Sequence, residues 1–113
     1  RRVRAHYPDV SVLVGGSDPE GFDFVVNATP LGMAEGDPLP LDVTRLRPGT
    51  FVGDVILGTD LTPLLQAARE RGCEVQFGSD MLFELVPAYL EFFGFPGATP
   101  DELRELVAST ATT

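Results

Sequence analysis

Apolar positions along the chain fall into short runs separated by stretches with helical spacing. After Pro8, residues 10–14 are rich in β-branched side chains and stop at Gly15-Gly16, which predicts a short buried strand. Three more strands are predicted, at residues 22–26 ending in Asn27, at 51–57 after the turn-forming Pro48-Gly49, and at 73–77 between Gly72 and Gly78. None shows a long alternation of polar and apolar residues. Runs of that kind suit parallel strands covered on both faces better than a half-exposed antiparallel sheet.

Helical spacing appears between and after these runs. Thr62-Pro63 supplies an N-cap and a first-turn proline, Leu61, Leu64, Leu65 and Ala68 share one face, and Gly72 is placed to end the helix. Ser79 is expected to cap a longer helix carrying Met81, Leu82, Leu85, Val86, Tyr89, Leu90 and Phe93, with a kink or break at Pro87. A last helix starts at Thr99-Pro100-Asp101-Glu102 with capping-box spacing, and the tail from Ser109 is expected to fray. Residues 30–48 carry four prolines and three acids and read as a long loop with one helical turn near Asp42 to Leu46. The opening residues read as the last turns of a helix whose beginning is missing. Strands alternating with helices predict an α/β fold, a partial Rossmann-like parallel sheet of about four strands with flanking and C-terminal helices. Ligands of such sheets bind at the carboxyl ends of the strands.

With 113 residues the chain holds one domain or part of one. The net charge of -9 opposes binding to nucleic acid or anionic lipid. All basic residues are Arg, which excludes an internal lysine Schiff base and a P-loop. Cys73 and His6 are each single, so neither an internal disulfide nor a usual zinc site can form, and a cytoplasmic setting fits. No apolar run reaches the length of a membrane span.

The most informative string is Asp23-Phe-Val-Val-Asn-Ala-Thr-Pro-Leu-Gly-Met33, a strand running into a polar turn. Asn27, Thr29 and nearby backbone N–H groups are placed to meet a flat polar ligand, or to bond to local backbone as in an ordinary turn. The string resembles the Asn-Ala-Thr-x-x-Gly-Met segment of the shikimate dehydrogenase family. Asp54-Val-Ile-Leu-Gly-Thr-Asp-Leu-Thr-Pro-Leu-Leu65 and Gly78-Ser-Asp-Met-Leu82 resemble two later motifs of that family in the same order, so the likeness covers most of residues 22–95.

The resemblance implies that Asn27, Ala28, Thr29, Val55, Gly78, Met81 and Leu82 lie at the nicotinamide end of NADP, with NAD the alternative. It implies that Leu57, Glu84 and Leu85 lie on the substrate side, where Leu57 and Leu85 replace a Tyr and a Gln that hydrogen-bond a polyhydroxylated ring acid. Either the substrate carries fewer or different ring substituents, or neighbours such as Glu84 or Thr59 compensate. No catalytic or metal-binding residue is expected in this chain, because the family's proton-transferring Lys and Asp and its glycine-rich phosphate turn lie earlier. Residues 1–95 are then the C-terminal part of an NAD(P)-binding domain and 96–113 a terminal helix and tail. The implied activity is hydride transfer to or from a ring hydroxy acid such as shikimate, by a cytoplasmic enzyme of aromatic amino acid biosynthesis, with a homodimer as one assembly. Two other readings stay open: a degenerate, non-catalytic homologue, and a receiver-like signalling module with Asp54 near a strand end, which ordinarily needs a lysine absent here.

Overall fold

Three of the four apolar runs pair, all parallel, in a single sheet. In the computed structural model, which describes residues 1–59 and 61–111, β1 (Phe24–Asn27), β2 (Phe51–Asp54) and β3 (Glu74–Gln76) lie side by side in that order. The register sets Val25 opposite Val52 and Val52 opposite Val75. Since strand side chains alternate between faces, these three valines form one apolar row, and Phe24 and Phe51 stack on the other face with ring centroids 4.9 Å apart.

Four helices accompany the sheet: α1 (Arg2–His6), α2 (Pro63–Glu70), α3 (Gly78–Phe92) and α4 (Pro100–Ala111). α2 starts as its sequence predicts, the Thr62 hydroxyl accepting from the Leu65 N–H at 3.3 Å with Pro63 in the first turn. It ends at Gly72, whose φ of 83° is costly for any residue with a Cβ. The core consists of Leu64, Leu65 and Ala68 of α2 packed with Val52, Leu46 and Cys73, the half-buried Val25 and Val75 completing that face. The predicted turn near Asp42 is a 3-10 turn at Val43–Arg45, capped by the Asp42 carboxylate. Arg104 of α4 lies over the Phe83 ring and pairs with Asp80, Glu84 and Asp101, fastening α4 to α3.

Four expectations are corrected. Residues 10–14 form no strand, and Leu13 and Val14 are 84% and 94% exposed; β-branched residues make a strand only where a ladder partner is present, and the described sheet offers this segment none. The strand count is therefore three rather than four. α3 begins at Gly78 with Phe77 in the cap position, without a side-chain cap from Ser79, because Gly78 is already wedged against the backbone after β2. Pro87 sits inside α3 without breaking it; the proline removes one hydrogen bond, toward the Phe83 carbonyl, and good helix formers on both sides carry the helix through. Finally, α4 continues to Ala111 instead of fraying at Ser109, whose hydroxyl donates back to the Leu106 carbonyl at 2.8 Å. Residues 112–113 of the expected frayed tail lie outside the described residues.

Cys73 is buried beneath α2, its thiol donating to the Arg47 carbonyl at 3.4 Å. Burial pushes the thiol pKa up, against a smaller opposing effect of Arg71. Because the thiolate is the reactive form, Cys73 should be alkylated at least about tenfold more slowly in the folded chain than in urea. Iodoacetamide kinetics followed by mass spectrometry check this; equal rates would mean the core around Cys73 is open.

Candidate functional site

On the face of the sheet that packs against α2, the apolar row of valines gives way to polar side chains at the carboxyl edge. Asn27 follows Val25 by two residues and Asp54 follows Val52 by two, so both point to the α2 side, opposite each other in register. Asn27, Asp54 and Thr62 are only 2%, 3% and 1% exposed. A buried carboxylate without partners is strongly unfavourable, and Asp54 has three. Its Oδ1 accepts from Asn27 Nδ2 and from the Ile56 N–H, each at 3.2 Å, and its Oδ2 accepts from the Thr62 hydroxyl at 2.8 Å. Thr62 in turn caps α2. One carboxylate thus joins the end of β1, the chain leaving β2 and the start of α2.

The turn after β1 is ordered by the other end of the same Asn27 amide. Its Oδ1 accepts from the Thr29 N–H at 3.0 Å and the Thr29 hydroxyl at 2.6 Å, while Nδ2 also donates to the Leu31 carbonyl at 3.0 Å. The Thr29 oxygen accepts from the Leu31 N–H at 3.2 Å. Further on, Asp37 Oδ2 accepts from the N–H groups of Gly32 and Ala34, both at 3.0 Å, and these bonds hold its carboxyl below the usual carboxylate range. Gly78 closes the edge from β3's side: a Cβ built there would lie 2.2 Å from the Ile56 carbonyl oxygen, so only glycine lets α3 begin this close to the chain leaving β2.

The expected cofactor-side residues therefore gather at one sheet edge. Asn27 is buried, Ala28 and Thr29 are exposed on the turn, Val55 is half-buried, Gly78 abuts the Val55-Ile56 backbone, and Met81 and Leu82 are exposed on the first turn of α3. The local-bonding alternative for Asn27 and Thr29 is also realised. Of the substrate-side residues, Leu57 and Leu85 are 53% and 42% exposed, and Glu84 is engaged by Arg104 at 3.2 Å. Two roles went unread in the sequence, the joining role of Asp54 and the loop-holding role of Asp37. An acid ending an apolar strand, eight residues before a Thr-Pro cap, was the available signal for the first. Among the described residues no group of His, Cys, Asp and Glu side chains converges on a metal site, and no helix is long and apolar enough to cross a membrane.

No family model matches the chain. It is 39% identical over 103 residues to the shikimate dehydrogenase (NADP(+)) of Jannaschia sp. strain CCS1, covering 90% of this chain and 34% of that protein. It is 43% identical over 86 residues to the corresponding enzyme of Acidiphilium cryptum, covering 75% and 31%. Among solved structures, quinate dehydrogenase from Corynebacterium glutamicum in complex with NAD superimposes with a TM-score of 0.68 at 36% identity, covering 77% of this chain and 31% of that one. Shikimate 5-dehydrogenase from Listeria monocytogenes in complex with shikimate and NAD gives 0.67 at 30% identity, covering 75% and 30%. The chain thus spans about a third of the length of the curated relatives it matches.

Removing the acceptor at Asp54 should cost far more than changing its charge. Asp54→Ala takes the acceptor from three buried donor hydrogens, on Asn27, Ile56 and Thr62, a loss of about 3 kcal/mol or more, whereas the Asp54→Asn amide can keep the bonds from Asn27 and Ile56 at about 1 kcal/mol. Urea unfolding of the two variants checks the ordering. Asp37 adds a pH dependence of known sign. Its pKa is lowered on folding, so its contribution is present above the unfolded value and is lost as pH falls through the folded one. The Gly32 and Ala34 amide resonances should therefore shift below the ordinary carboxylate range, and Asp37→Asn should abolish that titration.

Proposed function

We propose, for a chain that is shikimate dehydrogenase-like over most of its length, that it forms the nicotinamide side of the cleft in an NAD(P)-dependent oxidoreductase acting on a ring hydroxy acid. The observation carrying this reading is that Asn27, Ala28, Thr29, Val55 and Gly78 lie at or just after the carboxyl ends of one parallel sheet, where Asn27 bonds to the buried Asp54 carboxylate and orders Thr29, and Gly78 abuts the Val55-Ile56 backbone. The bound dinucleotide supplies or takes the hydride. The chain's own groups bind and orient: Gly78 allows close backbone approach, the Asn27–Thr29 turn presents fixed polar groups, and Met81 offers a polarizable thioether to a planar ring. Proton transfer is assigned, on the resemblance to the family, to a Lys and an Asp outside these residues; the chain itself has no lysine.

The substrate reading follows from Leu57 and Leu85. Both are exposed apolar side chains, and a wall made of them does not reward each ring hydroxyl with a hydrogen bond. A ring acid with fewer or different hydroxyl groups than shikimate therefore fits better. A cytoplasmic setting and a homodimer belong to the same proposal, and the charge of -9 disfavours nucleic acid and anionic lipid as partners.

NADPH and NADH titrations of the intact protein, followed by nucleotide fluorescence, test the cofactor reading, with binding of at least one expected. Turnover of shikimate, quinate and less hydroxylated ring acids tests the substrate, with the last group favoured in kcat/KM. The 113-residue chain alone should turn over none of them. Absence of dinucleotide binding by the intact protein would remove the oxidoreductase reading in favour of a degenerate homologue, and turnover by the isolated chain would overturn the division of labour.

A further inference from the structure

We propose that Asn27 is a positioning residue whose locked amide biases the Thr29 hydroxyl toward accepting, so that the turn favours an N–H or O–H donor on its ligand. Which end of an asparagine amide is oxygen follows from its partners, and here three partners agree. The Leu31 carbonyl can only accept, the buried Asp54 carboxylate accepts from Asn27 and two further donors, and the Thr29 backbone N–H can only donate. Nδ2 must therefore face Leu31 and Asp54, and Oδ1 must face Thr29.

Once Oδ1 is fixed there, the single hydroxyl proton of Thr29 is committed to it at 2.6 Å. One oxygen lone pair is taken by the Leu31 N–H. The remaining capacity of the hydroxyl is one lone pair on an exposed residue at the carboxyl edge of β1. A threonine hydroxyl ordinarily turns to suit either a donor or an acceptor. Here that choice is biased, because rotating the proton outward gives up the short bond to Asn27 Oδ1, whereas a donor on the ligand costs no bond already made.

The inference rests on the dinucleotide reading, within which two ligand groups have the required chemistry: the carboxamide amine of the nicotinamide and a hydroxyl of its ribose. The test uses the intact protein with NADPH and with its 3-acetylpyridine analogue, in which a methyl replaces the amine. Thr29→Val should weaken NADPH binding about fivefold, the scale of one ordinary hydrogen bond, and Thr29→Ser should restore it. If the analogue binds the wild type and the Val variant equally well, the carboxamide is the donor. If both nucleotides lose equally and Ser restores both, the ribose hydroxyl is. A Val variant that binds both as tightly as the wild type overturns the inference, as does a loss that Ser fails to rescue. Absence of NADPH binding by the wild type would instead remove the functional reading and this inference with it.

Discussion

The Asp54 carboxylate is the interaction on which the rest of this structure depends. Burying a charge is costly, and the cost is tolerable only where several donors converge. Here the donors come from three separate stretches: the Asn27 side chain at the end of β1, the Ile56 N–H beyond β2, and the Thr62 hydroxyl at the start of α2. No two of them are held by the same local hydrogen bonds. The carboxylate therefore ties β1, β2 and α2 together at the carboxyl edge of the sheet, and hydrogen bonds do at that edge what Val25, Val52 and Leu65 do by packing a few ångströms away.

That arrangement joins stability to site geometry. The Asn27 amide that satisfies Asp54 at one end orders the Thr29 turn at the other. Ile56, whose N–H serves Asp54, also meets the start of α3 through its carbonyl, where only glycine fits. A disturbance at Asp54 is thus transmitted to the turn after β1 and to the first turn of α3 without any contact between Asp54 and a ligand. Asp37 acts separately, gripping the far side of the loop through the Ala34 and Gly32 amides, and because those bonds depend on its ionised carboxyl the grip responds to pH.

What the sequence disclosed followed from local chemistry. Thr62-Pro63 begins α2, Gly72 ends it, and Thr99 accepts from the Glu102 N–H at the start of α4, because caps depend on residues three or four apart. The expectation at residues 10–14 failed because a strand is defined by its neighbour and not by its own composition. The cap at Ser79 failed for a related reason: the position of the Ile56 backbone, more than twenty residues away, decides where α3 starts. The candidate site residues stood in the sequence as motif strings, but the reason Asn27 and Asp54 cohere did not. Asn27 and Asp54 become partners only through the parallel register of β1 and β2.

The two faces of the sheet differ in a way that bears on the site. Parallel sheets ordinarily have both faces covered, and Phe24, Val26 and Phe51 give the second face the apolar character of a covered one. Among the described residues α2 covers the first face, while Phe24 and Val26 remain exposed on the second. Asn27 and Asp54 belong to the first face by the alternation of the strands, and so does Thr62 at the head of α2. Hence the polar layer, and through it the orientation of Thr29, is determined by the packed side of the sheet together with the loop's own Leu31 and Thr29 backbone. Whatever lies against the aromatic side can change how firmly β1 is held, but the direction in which the Thr29 hydroxyl points is already settled by Asn27 and the loop backbone.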